Sequence, residues 1–529
     1  MDQGLSRRSF VGLAAAGTAA IGAAGLAGYS STATAIASVG IPDAWDYEAD
    51  FVVVGAGTAL TGALKAVVDG MSCIVVEARD TVGGTTAWSG GSVWIPCNGM
   101  APDTREAAKA YMTAMADGHA SEIKIDTYLD NCVDMMNFVA DNAGIVWAVR
   151  DRTDYHVELE GGTEYTRTIM PVDQETGELW GTKAGELITQ PEADAFEEKG
   201  GTIFTETKAQ RLISRPIDDG MQEVLGIVAI DPYGRILNIK AKKAVLLGAG
   251  GFDYNEEMKS RYLTVPINGS AMVETHDGTG IRMGQGVGCD LAMMSYGWGM
   301  PSGQGGGGSG SWAWINHYGR RFCDEAANYD SLQFAFRDNR NTFGKMEYAN
   351  MPAWYVCDHA NRETSGRTFG VTADQDVPDT IAQADTLEEL AAKLGFDEIA
   401  TENFLLQMVR FNKYAVEGKD PEFHRGESLY DQGGAGRPTN VLGPISQPPF
   451  YANEIGPGFM GTKGGIAVNE IGQALHVTGK TVPRLYACGN NSGYGTPGLH
   501  YTGAGGTVAP GMIISYLAAI DVAKLEDWE

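Results

Sequence analysis

Phe51-Val52-Val53-Val54-Gly55-Ala56-Gly57 sets a β-branched run directly before a glycine turn. A short apolar run of this kind reads as a buried strand. Leu60, Ala63, Leu64 and Val67 follow at helical spacing, and a second strand, Cys73-Ile74-Val75-Val76, ends at Glu77. Strand, glycine turn, helix, strand and acid, with Glu77 22 residues after Gly55, is the layout of a βαβ dinucleotide-binding unit. The glycines let the backbone approach a diphosphate, the helix N-terminus favours its charge, and the acid accepts from a ribose hydroxyl. Leu60 stands where the strict G-x-G-x-x-G has its third glycine. Taken alone, the turn fits a plain strand–turn–helix equally well.

The context decides for a cofactor. Glu77-Ala78-Arg79-Asp80 leads into Gly83-Gly84-Thr85-Thr86, and a glycine pair just past the ribose acid marks a flavin site. Val245-Leu246-Leu247-Gly248-Ala249-Gly250-Gly251 is a second strand-into-glycine turn, and Arg484-Leu485-Tyr486-Ala487-Cys488-Gly489-Asn490 a third strand with a polar turn. One site built from both chain ends implies an insertion. The expected architecture is α/β: a Rossmann-like FAD-binding domain split between residues 44–289 and 451–529, with an inserted α+β catalytic domain at 290–450. Thr386 and Glu389 form a capping box there, Gly395 a stop, and a second helix runs from about Asp397 to Glu417. The residues expected against FAD are Gly55, Gly57, Glu77, Ala78, Gly83, Gly84, Thr85, Thr86, Gly90, Gly91, Gly250, Gly251, Asp277, Gly489 and Asn490. A single dinucleotide fingerprint leaves no second, NAD(P)-binding domain.

The 529 residues exceed one ordinary domain. A net charge of -28 argues against nucleic acid, whose phosphates need a basic surface. None of the seven cysteines forms C-x-x-C, which excludes an attached c-type haem and disfavours an iron–sulfur cluster. No metal site is expected. The opening Ser6-Arg7-Arg8-Ser9-Phe10, a Gly/Ala-rich apolar run to Gly28 and the A-x-A sites near Ala35 resemble a twin-arginine export signal over residues 1–37. A permanent membrane anchor would be longer and more apolar. The expected location is therefore periplasmic or otherwise extracytoplasmic, either free or associated with the membrane.

From about Ala49 to Val522 the chain resembles the flavoprotein superfamily of soluble fumarate reductases and 3-ketosteroid dehydrogenases. Thr85-Thr86-Ala87-Trp88-Ser89-Gly90-Gly91-Ser92-Val93-Trp94-Ile95-Pro96, Glu422-Phe423-His424-Arg425-Gly426-Glu427 and Gly461-Thr462-Lys463-Gly464-Gly465 are similar to the ketosteroid branch. Fumarate reductases carry an arginine proton donor where this chain has Tyr329. At the C-terminal turn they bind a carboxylate with arginine, whereas this chain reads His500-Tyr501-Thr502-Gly503-Ala504-Gly505. Tyr501 and Gly505 match the pair that holds a substrate ketone, and Thr153-Asp154-Tyr155 resembles the segment of an assisting tyrosine. Thr502 departs from a usual proline.

The resemblance implies dehydrogenation of a CH–CH bond beside a ketone, in a steroid-like substrate. A C–H beside a ketone yields its proton only if the developing enolate is stabilised; a positioned donor supplies about 3–4 kcal/mol. Tyr501 and the Gly505 amide take that role, Tyr329 the proton and flavin N5 the hydride. Free tyrosine has a pKa of about 10, so Tyr155 is expected to stabilise the Tyr329 anion. Any one of the 21 tyrosines is otherwise a packing residue. His500 reads as structural, Lys463 as either a cofactor contact or a solvated lysine, and Gly303–Gly310 as either a linker or a lid. Two alternatives stay open: an exported reductase of enones or other activated alkenes, and a non-catalytic flavin-binding protein. Export points to a membrane-linked quinone or cytochrome as electron partner.

Overall fold

The computed structural model describes residues 38–177, 184–267, 269–303, 309–337, 339–342, 345–365, 368–432 and 441–528. The expected export segment lies outside these residues, as does 304–308 of the glycine-rich stretch. The chain divides into two compact units. Among the described residues the larger comprises 38–263, 272–297 and 461–528, and the smaller 264–271 and 298–460.

The larger unit is built on one sheet. From edge to edge it runs Gln473–Leu475, Thr481–Ala487, Ile236–Leu247, Tyr47–Val54, Cys73–Val76 and Thr202–Phe204. The pairings among Thr481–Ala487, Ile236–Leu247, Tyr47–Val54, Cys73–Val76 and Thr202–Phe204 are all parallel. Lys208–Pro216 and Gln222–Ile230 form an antiparallel hairpin joined to Ile236–Leu247. Phe51, Val52 and Val53 are fully buried, each side chain contributing about 1.5–3 kcal/mol relative to exposure. That burial on both faces is why the strand reads as a continuous apolar run.

The three glycine and polar turns emerge together. The Gly55 N–H donates to the Val76 carbonyl at 2.8 Å, Gly248 N–H to Val54 at 2.8 Å and Cys488 N–H to Leu247 at 3.0 Å. Ligands of doubly wound sheets bind at such carboxyl ends. The C-terminal helix Val508–Val522 buries 12 of its residues and packs against the glycine-turn helix Leu60–Val68. A Cβ at Gly62 would strike the Ser515 carbonyl. Close helix packing, the role of the missing third glycine, has moved two residues on to Gly62, while Leu60 fills the core.

The smaller unit has a four-stranded antiparallel sheet, Trp312–Asn316, Ala353–Cys357, Phe450–Ile455 and Ala382–Ala384. Alternation along Trp312–Asn316 sends Ala313 and Ile315 into a cluster with Phe404, Met408 and Phe411. Trp312 and Trp314 enter another with Leu332, Phe336 and Tyr355. The boundary expected at 450 falls where the strand Phe450–Ile455 begins; its pairing with Ala353–Cys357 carries this unit to 460. The unit begins at 298, not 290, and takes in 264–271, where Ala271 N–H donates to the Phe459 carbonyl. Thr386 caps its helix by accepting from Glu389 N at 3.2 Å, and Asp397 caps Glu398–Glu417 by accepting from Ala400 N at 2.8 Å. Among the described residues no helix is long and apolar enough to cross a membrane.

Candidate active site

The nucleotide end of the site is assembled from the turns. Gly55 (φ +99°) has a left-handed backbone pressed on Gly248, so a side chain cannot enter. Glu77 is buried; it accepts from Ala56 N at 2.8 Å and Arg79 N at 2.8 Å. Burial pushes its carboxyl up, and these two donors oppose the shift. A carboxylate has about four acceptor positions, so capacity remains for ribose hydroxyls. Gly83 (φ +98°) binds the Ala56 carbonyl at 2.7 Å and packs on Thr189, whereas a Cβ on Gly84 would meet open space. Gly91 packs on the Ala184 backbone, and Gly90 is exposed.

His276 joins two of these turns. Its ring lies against Gly250, its Nδ1 accepts from Gly251 N at 3.3 Å, and its Nε2 is 3.3 Å from Thr85 Oγ1. Asp277 binds Lys208 at 2.5 Å and caps Thr279 through its N–H at 3.0 Å and hydroxyl at 2.6 Å. Burial works to raise the Asp277 carboxyl, but Lys208 and Thr279 outweigh it and hold it below the ordinary range. Next to the expected Asn490 lies a residue the sequence reading missed. Asn491 is fully buried; its Oδ1 accepts from Ala249 N at 3.2 Å, and its Nδ2 has no hydrogen-bond partner among the described residues. Open space over Gly84, acceptor capacity on Glu77 and this unsatisfied amide fit a diphosphate-linked cofactor with ribose hydroxyls and a polar ring, as FAD is.

The chemical end in this unit brings together Tyr155 and Tyr501. Their rings stack with centroids 5.2 Å apart and planes 18° apart. Both are buried, and the Tyr501 hydroxyl is 3.2 Å from Thr507 Oγ1. Three successive N–H groups hold the Tyr155 segment: Asp154 donates to the Thr163 carbonyl at 3.0 Å, Tyr155 to the Thr502 carbonyl at 3.1 Å, and His156 to the Tyr111 hydroxyl at 3.2 Å. Tyr111 in turn donates to the Thr502 carbonyl at 2.6 Å. Thr502 itself is buried with its hydroxyl unpartnered among the described residues. Gly505 (φ +92°) lies on the Ser92–Val93 backbone, which a Cβ would strike at 2.5 Å. The glycine is thus required by its own neighbours as well as by any ligand.

Behind Tyr155 is a buried ionic cluster. Arg167 makes a two-point pair with Asp103, both bonds 2.9 Å, and a third bond to Asp154 at 2.8 Å. The other Asp154 oxygen accepts from the Trp94 indole at 2.8 Å. Burial pushes the Asp154 carboxyl up to about 6, against the pull of Arg167 and Trp94. Lys463 is buried and its ammonium donates to the Leu499 carbonyl, which rules out the solvated reading. His500 lies 3.6 Å from Asp117 and edge-on to His156.

Tyr329 belongs to the smaller unit. It is half-buried and opens the helix Tyr329–Phe334, capped by Asn328, whose side chain accepts from Ser331 N at 2.9 Å. The loop before it is pinned by charges with no exposed side-chain surface: Arg321 pairs with Glu325 (2.6 Å) and Asp420 (2.8 Å), and Arg425 with Glu325 (3.2 Å). Arg425 also donates to the Trp312 carbonyl at 2.7 Å and lies 3.9 Å over the Trp312 ring. The Glu422–Glu427 string therefore anchors the loop that leads to Tyr329.

Comparison with known proteins agrees with this geometry. A family described as FAD binding domain matches residues 50–508. The 3-oxosteroid 1-dehydrogenase of Mycolicibacterium smegmatis is 32% identical, covering 90% of this chain and 97% of that protein. The 4-oxocyclohexanecarboxylate 2-dehydrogenase of Sinomonas cyclohexanicum is 31% identical over 90% of this chain and 92% of its own. The crystal structure of 3-ketosteroid Δ1-dehydrogenase from Sterolibacterium denitrificans, in complex with 1,4-androstadiene-3,17-dione, superposes with a TM-score of 0.81 at 26% identity, covering 90% of this chain and 99% of that one. Matched along nearly its whole described length, this chain belongs to the FAD-binding domain family of flavoproteins.

Proposed function

We propose that this chain is an FAD-dependent oxidoreductase acting on the CH–CH bond beside a ketone, with a 3-ketosteroid-like substrate. The observation that carries the reading is the stacked Tyr155–Tyr501 pair, held by backbone bonds on both partners' segments beside the Gly505 turn. The Gly55–Gly57 turn, Glu77, Gly83–Gly84 and Asn491 would hold FAD, which would supply the hydride acceptor. Tyr501 and the Gly505 N–H hold the ketone oxygen and stabilise its enolate. Tyr329 takes the proton from the adjacent carbon, and Tyr155 favours its anionic form. Reversed, Tyr329 would return the proton to the α-carbon of the enolate that an enone becomes on accepting hydride at its β-carbon. Residues 1–37 direct export, and the electrons pass to a membrane-linked quinone or cytochrome.

Anaerobic mixing tests the reading. Purified FAD-loaded protein meets 3-ketosteroids, 4-oxocyclohexanecarboxylate and simple enones, in both flavin redox states. Loss of oxidised-flavin absorbance with a ketosteroid is expected. A flavin unchanged by every ketone and enone would overturn it.

A further inference from the structure

The helix Glu398–Glu417 is apolar on two opposite sides. Ala400, Phe404, Met408 and Phe411 are buried on the inner side. With about 3.6 residues per turn, Ile399, Leu406, Val409 and Val416 fall on the reverse side. They are 71%, 55%, 68% and 78% exposed. Isolated exposed apolar residues are ordinary. These four are not isolated: their spacing of seven, three and seven is that of a and d positions in a coiled-coil seam. Exposed Glu402 and Lys413 occupy the two remaining positions of the same stripe.

The stripe is a palindrome of chemistry. Ile399 and Val416, Glu402 and Lys413, and Leu406 and Val409 are each equidistant from a point between Gln407 and Met408. A two-fold axis through that point sets an antiparallel copy of the helix against the first. Ile399 then meets Val416 of the second copy, Leu406 meets its Val409, and Glu402 meets its Lys413. A parallel copy would oppose Glu402 to Glu402 and Lys413 to Lys413. We propose that this face is a self-complementary docking surface for a second copy of this chain, paired antiparallel about a two-fold axis. Such an isologous contact is the commonest way a soluble chain pairs.

Charge favours this occupant over a lipid surface. Interfacial membrane helices are rich in lysine and arginine, whereas this helix carries Glu398, Glu402 and Glu417 near its stripe. The intrachain Lys413–Glu417 pair is long, at 3.8 Å, and exposed, so Lys413 is readily redirected. One 20-residue helix offers a seam at the small end of specific interfaces, which makes the dimer reversible and dependent on concentration. Each copy carries a net charge of -28, so low salt opposes association, and the measurement belongs at about 0.15 M salt, where charges are screened beyond about 8 Å.

The test is sedimentation velocity of the full, FAD-loaded chain across a concentration series. The mass is expected to rise from one chain to two. Glu402→Lys and Lys413→Glu should each weaken the dimer by about tenfold by opposing like charges at both symmetry-related contacts. The double exchange Glu402→Lys/Lys413→Glu should restore it. All of these sites are exposed, so FAD content and circular dichroism should not change. A chain that stays monomeric at every concentration overturns the proposal. So does a dimer indifferent to the single exchanges, or binding of the wild type to phosphatidylcholine or phosphatidylglycerol vesicles without self-association.

Discussion

At the scale of single residues, the proposed reaction turns on phenolic oxygens. Tyr329→Phe should keep FAD and ligand binding but lose turnover by about 100-fold or more, the usual worth of a positioned acid or base. Tyr501→Phe should weaken ketone binding as well, seen as a rise in KM together with a fall in kcat. Equal losses in both variants, or full activity in either, would remove the assigned roles. Asp154→Asn should lower the urea midpoint by the equivalent of about 3 kcal/mol, because it leaves part of the buried Arg167 charge uncompensated. Tyr155 and Tyr501, which the structure stacks, are both singled out by the strings of residues around them. Arg167, Asp103 and Trp94 were not, since each is remote in sequence from Asp154 and nothing in their spacing announces a cluster. Asn491 stands outside the expected set, because only the fold shows that this amide beside Asn490 is fully buried.

At the scale of elements, the helix Glu186–Glu198 has a built-in sensitivity to alkali, opposite in sign to that of an ordinary paired carboxylate. Glu192 is fully buried, accepts from Thr61 Oγ1 at 2.7 Å, and its second oxygen has no partner among the described residues. Burial pushes its carboxyl up to about 8. The folded chain therefore holds a proton that the unfolded chain releases near pH 4.5. The stabilisation is complete below that value and is lost as pH rises towards 8. Glu192→Gln should raise Tm more at about pH 9 than at about pH 5; a uniform or reversed effect would show that Glu192 is charged in the native state. This helix was not legible in the sequence, because Pro191 sits inside it and reads as a break. The capped helix Glu398–Glu417 was legible, because its start signal lies in adjacent residues. The expected boundary at 450 cuts the strand Phe450–Ile455 after its first residue, because strand partnership is a long-range property that local sequence does not show.

At the scale of the whole molecule, denaturation should release a yellow cofactor of FAD mass; colourless protein that cannot be reconstituted with FAD would count against the family's cofactor being used here. Fumarate should not be reduced, because a phenol at Tyr329 and at Tyr501 offers no countercharge for a dicarboxylate. Rapid fumarate turnover would return the chain to the other branch. The architecture of the larger unit was legible because each of its turns carries its own glycine signature. The central strand Ile236–Leu247 lies between Tyr47–Val54 and Thr481–Ala487, so residues 473–487 complete one side of a sheet begun at residue 47. The helix Val508–Val522 then seats on Gly62, beside the first turn. During synthesis, the Gly55 turn is made more than 400 residues before the Gly489 turn that stands beside it. Until those residues are made, the first turn lacks the Asn491 amide beside it and the helix that seats on Gly62, so a chain cut before Gly489 is expected to lose FAD on gel filtration.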